Sequence, residues 1–436
     1  MMSASVPGLM ISAPASGQGK TTVTAAIARH AARCGKRVRV FKTGPDFIDP
    51  MLLARAAGQP VQQLDLWMGG REHCRELLGR AAQEADLLLV EGVMGLHDGD
   101  PSSADLALEF NLPLLLVIDA AAMARTFGAI ALGLRAYRPE LTVFGVLANR
   151  VGGASHVAML AASLTGPVAD LRFLGALARD AAVALPERHL GLVQAAEIAD
   201  LDARLDRAAE AIGACLPLEA IAPVSFPTAA SERPPPLLAG VRIAVAQDAA
   251  FAFVYAANLD LLRAMGATLE FFSPLCDAAV PPADALYLPG GYPELHAARL
   301  AANRSLLDSL RRHVQRGAPL VAECGGMMLL FEQLTDIEGR SHPMAGVLAG
   351  QTDMQPRLQA LALQSVVFPE GELRGHSFHH SRLRTGLTPT WLARTQHGGP
   401  GEAVFRQGAV TASYIHFYWP SNPRVAAALF RPGTGA

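Results

Sequence analysis

A glycine-rich segment near the amino terminus carries residue types that bind phosphate. The segment PASGQGKT, which begins at Pro14, matches the pattern G-x-x-x-x-G-K-[ST] except that this proline replaces the first glycine. Gly17 and Gly19 would let backbone N–H groups approach phosphate oxygens. Lys20 would reach the β- and γ-phosphates, and Thr21 would offer its hydroxyl to Mg²⁺. The spacing therefore predicts a site for a nucleoside triphosphate rather than an ordinary glycine-rich turn.

Carboxylates and a lysine follow two further apolar runs. The segment FKTGPDFID contains Lys42 and Asp46, and the segment EGVMGLHDG contains Glu91 and Asp98. Asp46 and Glu91 offer hard oxygen ligands beside Thr21, so we predict that these three residues bind Mg²⁺. Lys42 would stabilise charge on a transferred phosphoryl group, and Asp98 would bind or position its acceptor. The alternative for Asp46 and Asp98 is a loop-capping role.

Asn149 closes another apolar run and is a candidate for binding the adenine edge. A turn role at the end of a strand fits this residue equally well. Asp119 and Arg125 also follow a predicted strand and could contact nucleotide or acceptor, and the sequence does not decide between these. The predicted nucleotide-binding residues are Ser16, Gly17, Gly19, Lys20, Thr21 and Asn149.

One cysteine in the carboxy-terminal half has the surroundings of a nucleophile. In the segment LVAECGGMMLLF an apolar strand pattern leads through Cys324 and two glycines into an apolar helical pattern. Such a sharp strand-to-helix turn needs small neighbours, which Ala322 and Gly326 supply. The start of a helix and a nearby imidazole would favour the reactive thiolate. The remaining cysteines lack such neighbours and fit inert packing: Cys34, Cys74, Cys215 and Cys276.

A base and an oxyanion site must accompany this nucleophile. The segment LPGGYPE offers backbone N–H groups, and we predict that Gly290, Gly291 and Gly325 donate to a tetrahedral oxyanion. Of the thirteen histidines, His416 is favoured as the base because it ends the alternating strand ASYIHFY well downstream of the cysteine. Its rivals are His376, His379 and His380.

Apolar runs with helical stretches between them must position these residues, which predicts an α/β fold with a mostly parallel sheet. In the amino-terminal half we predict strands over 8–12, 38–42, 86–91, 114–118 and 143–149. A second series has a strand over 241–246, a helix over 258–265, and strands over 286–288 and 320–322. The proline- and serine-rich segment 223–240 predicts a linker between one domain at 1–222 and another at 241–436.

Composition narrows the class of protein. Hydrophobic residues make up 51% and charged residues 17% of the 436 residues, with a net charge of −2. These values exclude a disordered chain and a basic nucleic-acid binder. The longest apolar run is too short to span a bilayer. The five cysteines are scattered, which favours a reducing cytoplasm. We expect small-molecule substrates, no nucleic acid and no membrane as partners, and a homodimer is left open.

Taken together, the motifs resemble the cobyrinic/hydrogenobyrinic acid a,c-diamide synthase family. APASGQGKT, FKTGPDFIDP, EGVMGLHDG, LPGGYPEL, AECGGMM, RGHSFHHS and SYIHF match in order and approximate spacing over nearly the whole chain. The resemblance implies an amino-terminal P-loop NTPase-like domain, similar to dethiobiotin synthetase, and a carboxy-terminal flavodoxin-like class I glutaminase. It also implies that ATP, with Mg²⁺, phosphorylates acetate carboxylates of a corrinoid in cobalamin biosynthesis. Ammonia from L-glutamine then displaces the phosphate.

Two positions depart from the wider patterns. Class I glutaminases commonly carry a glutamate two residues after the histidine, but His416 is followed by Phe417 and Tyr418. We therefore predict a dyad of Cys324 and His416, oriented by a further group that the sequence does not identify. Ser377 stands where the resemblance leads us to expect an acidic residue.

Three other functions stay open at this point. A related enzyme could amidate another tetrapyrrole, such as nickel sirohydrochlorin, and the longer cobyric acid synthases amidate other side chains. A partitioning-type ATPase switch with an inactive glutaminase-like module would belong to a different class. The intact nucleophile segment around Cys324 argues against the switch.

Overall fold

The computed structural model describes residues 2–183, 194–228 and 234–433. The chain divides into two units, Met1–Ser231 and Glu232–Ala436. Each unit is built from a sheet with helices packed against it, so the predicted α/β class with two domains is confirmed. Within the described ranges, no helix combines the length and the apolar character needed to cross a bilayer.

The first unit alternates strands and helices along most of its length. Its strands are β1 Met2–Ser12, β2 Val38–Thr43, β3 Gln62–Leu64, β4 Leu87–Glu91, β5 Leu114–Asp119, β6 Val143–Val151, β7 Phe173–Ala178 and β8 Pro223–Thr228. Its helices are α1 Lys20–Arg33, α2 Ile48–Ala57, α3 Gly70–Glu84, α4 Ser103–Glu109, α5 Thr126–Ala136, α6 Ala154–Ala161 and α7 Leu201–Gly213.

The first sheet has the strand order β3-β2-β4-β1-β5-β6-β7, and every pair along this path is parallel. Both faces of the sheet are covered. In β4, for example, Leu88 and Val90 belong to one buried cluster and Leu87 and Leu89 to the other. Strands buried on both faces are continuous apolar runs in the sequence, which is why they could be predicted. The parallel arrangement brings the carboxyl ends of β1, β2 and β4 to one edge, where ligands bind in such sheets.

The predicted linker 223–240 is wrong over its first six residues. Residues Pro223–Thr228 form β8, which pairs antiparallel with the first half of β1. Val224 and Phe226 alternate inward and are buried, while the prolines of this strand lie at the intervening, more exposed positions. Proline is tolerated on an edge strand because such a strand needs only part of its N–H groups for pairing. The prolines in this segment led to the prediction of a linker, although its apolar residues alternate as in a strand. Residues 229–233 of the predicted linker lie outside the described ranges.

The second unit begins as an alternating series and continues as antiparallel strands. Its strands are β9 Arg242–Ala246, β10 Thr268–Phe272, β11 Ala285–Leu288, β12 Leu320–Glu323, β13 Gln333–Thr335, β14 Ser341–Pro343, β15 Gln351–Met354, β16 Ala360–Phe368, β17 Gly371–His379, β18 Ser381–Arg384, β19 Trp391–Thr395, β20 Pro400–Gln407, β21 Val410–Ser413 and β22 His416–Phe417. Its helices are α8 Ala256–Ala264, α9 Ala297–Ala302, α10 Arg304–Gln315, α11 Gly325–Leu330 and α12 Pro423–Phe430.

The large sheet of this unit is mixed. Strands β10-β9-β11-β12-β21 are parallel neighbours, and their order of appearance is 2-1-3-4-5, the flavodoxin order. The sheet continues through β20, β19, β16, β17 and β22, which pair antiparallel. A small separate sheet has the order β14-β13-β15-β18.

The single strand predicted over ASYIHFY is two strands. β21 ends at Ser413 after pairing with β12, and β22 begins at His416 and pairs with β17. The hydroxyl of Ser413 accepts a hydrogen bond of 3.1 Å from the N–H of Ile415, which turns the chain between them. His416 therefore starts a new strand rather than ending the first one.

Candidate functional site

The predicted phosphate loop connects the end of β1 to the start of α1. Gly17 and Gly19 have φ angles of 77° and 94°, in the left-handed region that residues with a Cβ rarely adopt. A Cβ on Gly19 would also lie 2.1 Å from the side-chain nitrogen of Asn149. Gly19 is therefore required both by its backbone conformation and by the close approach of this side chain.

Lys20 begins α1, and its amine is directed back towards the loop. Its Nζ donates to the carbonyl oxygens of Ala15 at 3.0 Å and Met94 at 2.6 Å. Burial, and after it the positive charge of Lys42, lowers the pKa of Lys20 to about 8. A phosphate anion beside these two amines would favour the charged form of Lys20, because opposite charge raises the pKa of an amine.

Strand register places Lys42 beside Glu91. The two residues are direct partners in the pairing of β2 with β4. Lys42 Nζ donates a hydrogen bond of 3.0 Å to Glu91 Oε1, and the same oxygen accepts one of 2.9 Å from Thr21 Oγ1. Both charged side chains are buried. Three of the predicted residues thus meet at the Glu91 carboxylate: Thr21 from the helix after β1, Lys42 from β2 and Glu91 itself from the end of β4.

Burial by itself would lower the pKa of Lys42. The negative charges of Glu91, Asp49 and Asp46, with Glu91 the strongest, outweigh this effect and raise the pKa of Lys42 above its usual range. Lys42 is therefore a fixed positive charge at neutral pH rather than a proton donor. Burial raises the pKa of Glu91 to about 7, against the opposing charge of Lys42.

The two carboxylate oxygens of Asp46 have different contacts. Oδ1 accepts hydrogen bonds from the N–H groups of Ile48 at 2.8 Å and Asp49 at 3.2 Å, which caps the start of α2. Oδ2 lies 3.9 Å from Lys42 Nζ. Burial, followed by repulsion from Asp49, raises the pKa of Asp46. Oδ1 of Asp46 therefore has the loop-capping role, while Oδ2 faces Lys42 in the predicted site.

Asp49 is a residue of this cluster that the sequence did not lead us to select. It lies in the first turn of α2, and its Oδ2 is 3.2 Å from Lys42 Nζ. Burial would raise its pKa, but the charge of Lys42 and a hydrogen bond with Asp46 lower it. The signal that could have found it is a second carboxylate three residues after Asp46, in the first turn of the helix that follows β2.

Glu91 has a second oxygen that suits a cation. Its Oε2 is buried and has no hydrogen-bond partner within the described ranges. No group of three or more His, Cys, Asp or Glu side chains in the described part of the chain is arranged to hold a metal ion. The predicted set of Thr21, Asp46 and Glu91 has two carboxylates and a hydroxyl. Mg²⁺ fits such a set where phosphate and water oxygens complete its shell, as is usual at triphosphate sites.

These side chains line a cavity of about 850 Å³, a volume in the range of ligand pockets. The predicted residues on its wall are Ser16, Gly17, Gly19, Lys20, Thr21, Lys42, Asp46, Glu91 and Asn149. Asp98 is not among the residues that line it. Its side chain is exposed, and Oδ2 accepts a hydrogen bond of 2.9 Å from the N–H of Gly95, the contact of a loop-capping residue.

Asn149 braces the phosphate loop from β6. Its Nδ2 donates to the carbonyl oxygen of Gln18 at 2.9 Å. The side-chain oxygen of Gln18 in turn accepts the N–H of Asp119 at 2.8 Å, and Asp119 pairs with Arg150 at 2.6 Å. These contacts hold the loop against the ends of β5 and β6. Binding of the adenine edge by Asn149 stays a prediction.

In the second unit, Cys324 lies at a sharp turn between β12 and α11. Its φ and ψ of 45° and −108° are strained for a residue with a Cβ. Its N–H donates a hydrogen bond of 2.8 Å to the carbonyl of Ser413. A Cβ on Gly326 would lie 2.0 Å from the carbonyl oxygen of Leu288, so only glycine fits where α11 passes β11. The geometry is that of a nucleophile elbow.

The glycines after β11 lie close to the predicted base and to the start of α11. A Cβ on Gly290 would lie 2.2 Å from His416 Cε1, and a Cβ on Gly325 would lie 3.1 Å from the nitrogen of Gly291. The three predicted oxyanion donors therefore lie together beside the imidazole. Their donation to an oxyanion stays a prediction.

Of the candidate histidines, His416 is the one whose ring lies against Gly290. It stacks on its direct strand partner His376, with ring centroids 5.0 Å apart. His376 Nδ1 lies 2.8 Å from the hydroxyl of Tyr255. His379 Nε2 lies 3.0 Å from a carboxylate oxygen of Glu402. His376 and His379 are thus engaged with other side chains, and the ring of His380 lies 5.8 Å from that of Phe378.

Burial sets the protonation of the cysteine and the histidine. It raises the pKa of the Cys324 thiol, and the negative charge of Glu294 adds to this effect. Burial, followed by the charges of His376 and His379, lowers the pKa of His416. Burial therefore opposes the thiolate that the sequence led us to expect. At neutral pH the pair consists of a thiol and a neutral imidazole, and such an imidazole can accept the thiol proton.

Comparison with known proteins assigns both halves of the chain. Residues 9–193 match the model of the CobQ/CobB/MinD/ParA nucleotide binding domain, and residues 242–423 match that of the CobB/CobQ-like glutamine amidotransferase domain. These two matches define the class: a glutamine amidotransferase with a nucleotide-binding domain.

Similarity to curated proteins extends over the full length. The chain is 58% identical over 435 residues to the hydrogenobyrinate a,c-diamide synthase of Stutzerimonas stutzeri, with 99% of this chain and 100% of the relative covered. It is 57% identical over 440 residues to the synthase of the same name from Pseudomonas aeruginosa, with 100% of both covered. It is 51% identical over 431 residues to the cobyrinate a,c-diamide synthase of Herminiimonas arsenicoxydans, with 97% and 96% covered. The chain belongs to the hydrogenobyrinate/cobyrinate a,c-diamide synthase family, and the resemblance found in the motifs is confirmed.

Proposed function

We propose that this chain uses ATP and L-glutamine to convert the a- and c-acetate carboxylates of hydrogenobyrinic or cobyrinic acid into amides, in cobalamin biosynthesis. The full-length similarity to a,c-diamide synthases carries this proposal. The chemistry of the two units supports it, because a carboxylate becomes a good electrophile only after activation and ammonia must be supplied to it. The free state of all five cysteines fits a reducing cytoplasm as the location.

In the first unit, a corrinoid carboxylate oxygen attacks the γ-phosphorus of ATP. The bond from that phosphorus to the bridging oxygen breaks, which yields an acyl phosphate and ADP. Gly17 and Gly19 let the loop backbone bind phosphate, and Lys20 and Lys42 compensate the charge of the transferred group. Thr21, Asp46 and Glu91 would hold Mg²⁺, which would compensate further negative charge on the phosphates.

Asp98 is proposed to position the acceptor at the edge of this site. Its loop is linked directly to the phosphate loop, because the carbonyl of Met94 accepts the hydrogen bond from Lys20 Nζ. An exposed carboxylate on this loop can contact a large substrate that does not enter the cavity. Asn149 is proposed to bind the adenine edge from the cavity wall.

In the second unit, Cys324 Sγ attacks the side-chain amide carbon of glutamine while its proton passes to His416. The N–H groups of Gly290, Gly291 and Gly325 stabilise the oxyanion. Collapse of the tetrahedral intermediate expels ammonia, which takes the proton from the imidazole, and leaves a thioester. Water then attacks the thioester with the imidazole again as the base, and glutamate and the thiol are released.

Ammonia completes the reaction at the acyl phosphate. Its nitrogen attacks the acyl carbon, the bond from that carbon to the phosphate oxygen breaks, and the products are the amide and inorganic phosphate. Each amidation consumes one ATP and one glutamine.

The substrate is tested by incubating the full chain with ATP, Mg²⁺, glutamine and each of three acceptors: hydrogenobyrinic acid, cobyrinic acid and nickel sirohydrochlorin. Mass spectrometry counts the amidations, because each replaces a hydroxyl by an amino group. We expect two amidations of a corrinoid and none of nickel sirohydrochlorin. Amidation of the nickel compound alone, or ATP hydrolysis that responds to DNA or membranes and not to corrinoid, would overturn the proposal.

A further inference from the structure

A buried carboxylate lies directly before the nucleophile. Glu323 is the last residue of β12 and is 1% exposed. Its position differs from that of the usual class I glutamate, which would stand at Tyr418, two residues after the histidine. A buried carboxyl group is costly unless its oxygens are hydrogen-bonded, so its contacts show what it holds.

Both oxygens of Glu323 hold strands that carry parts of the glutaminase site. Oε1 accepts a hydrogen bond of 3.3 Å from the N–H of Phe417, the residue next to His416. Oε2 accepts one of 2.7 Å from the hydroxyl of Tyr287 on β11, three residues before Gly290. A single side chain thus connects β12 with β22 and β11. These strands lead to the nucleophile, the base and the oxyanion glycines.

A second buried side chain holds the same segment from the other side. Asn258, on α8, is fully buried. Its Nδ2 donates to the carbonyl of Phe417 at 2.8 Å, and its Oδ1 accepts the N–H of Trp419 at 2.9 Å. The N–H and the carbonyl of Phe417 are therefore both bound by side chains from other elements. These two side chains therefore clamp the backbone next to His416.

We propose that Glu323 and Asn258 are positioning residues that orient His416 through its backbone and thereby take the place of the missing triad glutamate. The inference rests on the proposed role of Cys324 and His416 as a glutaminase pair. Positioning has this importance because a displacement of about 1 Å between reacting groups can cost on the order of 10²-fold in rate. Burial raises the pKa of Glu323 to about 8, so the site tolerates a neutral side chain at this position. In Glu323→Gln the amide oxygen can accept the N–H of Phe417, while the amide N–H₂ donates to the Tyr287 hydroxyl instead of accepting from it.

The test compares Glu323→Ala with Glu323→Gln. Glutamine-dependent amidation and alkylation of Cys324 by the glutamine analogue 6-diazo-5-oxo-L-norleucine are measured beside amidation with ammonium chloride. For Glu323→Ala we expect kcat with glutamine and the alkylation rate to fall on the order of 10²-fold, with ammonium-supported amidation unchanged. For Glu323→Gln we expect both glutamine-dependent rates to stay within a few-fold of wild type.

Two milder variants keep the test decisive if Glu323→Ala does not fold. Tyr287→Phe and Asn258→Ala each remove part of the clamp, and each is expected to lower the alkylation rate about tenfold while the melting temperature shows a folded protein. Unchanged alkylation in all folded variants would overturn the inference. The inference would also fail if Glu323→Gln lowered the glutamine-dependent rates as much as Glu323→Ala does, because the carboxylate would then take part in the chemistry. Glutamine use that survives Cys324→Ala would instead refute the underlying proposal.

Discussion

At the level of single residues, the nucleotide site is organised around the fixed charge of Lys42. Its ammonium group is in contact with Glu91 and Asp49 and lies near Asp46. Acidic side chains so close together would repel one another and the phosphates without this cation. The lysine therefore both stabilises the folded state and prepares the site for an anionic substrate.

Lys42→Met is expected to leave these buried carboxylates without a counter-charge. The free energy of unfolding should fall by about 3–5 kcal/mol, as for other buried charge clusters that lose one partner. ATP-dependent amidation should fall on the order of 10³-fold with either glutamine or ammonium, because transferred phosphoryl charge is no longer compensated. Urea unfolding and product assays check the two effects. Lys36→Met, outside the cavity, serves as the control, and an equal loss in that variant would contradict the assignment.

Glu294 offers a test of electrostatics in the second unit. Burial raises the pKa of this carboxyl group from 4.5 to about 7. The folded state then holds the proton more tightly than the unfolded state, so its contribution to stability is present below pH 4.5 and is lost as the pH rises to 7. A shift of this size corresponds to about 3 kcal/mol. Unfolding free energies of wild type and Glu294→Gln between pH 4.5 and 7.5 should diverge by this amount. A difference that is constant with pH would contradict the prediction.

At the level of elements, the turn from β12 into α11 depends on glycine. In Gly326→Ala the new Cβ would meet the carbonyl oxygen of Leu288 at 2.0 Å, so the elbow must shift. We expect glutamine-dependent amidation to fall on the order of 10²-fold while ammonium-supported amidation persists.

The control for this substitution is Gly133→Ala on α5, where a Cβ would meet nothing within 4 Å. That variant should equal wild type in activity and gain about 0.5–1 kcal/mol in stability, because alanine favours the helix over glycine. If Gly326→Ala amidated with glutamine at the rate of the wild type, the tight turn would not be needed.

Much of the fold could be predicted because its strands differ in pattern from their connections. The run at 114–118 is uniformly apolar since β5 is covered on both faces, and its bounds match within one residue. β8 was missed because its prolines suggest a linker, although Val224 and Phe226 alternate inward. Its pairing with β1 depends on a partner more than two hundred residues away, which no local pattern reveals.

The residues of the two candidate sites also fall into those that the sequence predicts and those that it does not. The phosphate loop and Cys324 could be found because their chemistry requires particular residue types at adjacent positions. Asp49 and Glu323 were not selected, because their roles depend on which strands and helices face them. Such contacts are set by register and packing, and a single sequence does not state them.

At the level of the whole molecule, two units carry separate halves of one proposed reaction. The first contains the phosphate loop and the charge cluster around Lys42, and the second contains the elbow of Cys324 beside the glycines and His416. Activation of the carboxylate and release of ammonia use different residues. A substitution in one of these sites should therefore disable its half of the reaction and leave the other half intact.

Substitution of the nucleophile tests this requirement most directly. Cys324→Ala and the control Cys34→Ala, which changes an exposed cysteine, are assayed with ATP, Mg²⁺ and corrinoid, once with glutamine and once with high ammonium. We expect Cys324→Ala to lose amidation with glutamine and to keep it with ammonium, and Cys34→Ala to retain both. Undiminished use of glutamine by Cys324→Ala, or its failure with both nitrogen sources while it remains folded, would contradict the division of the reaction between two sites.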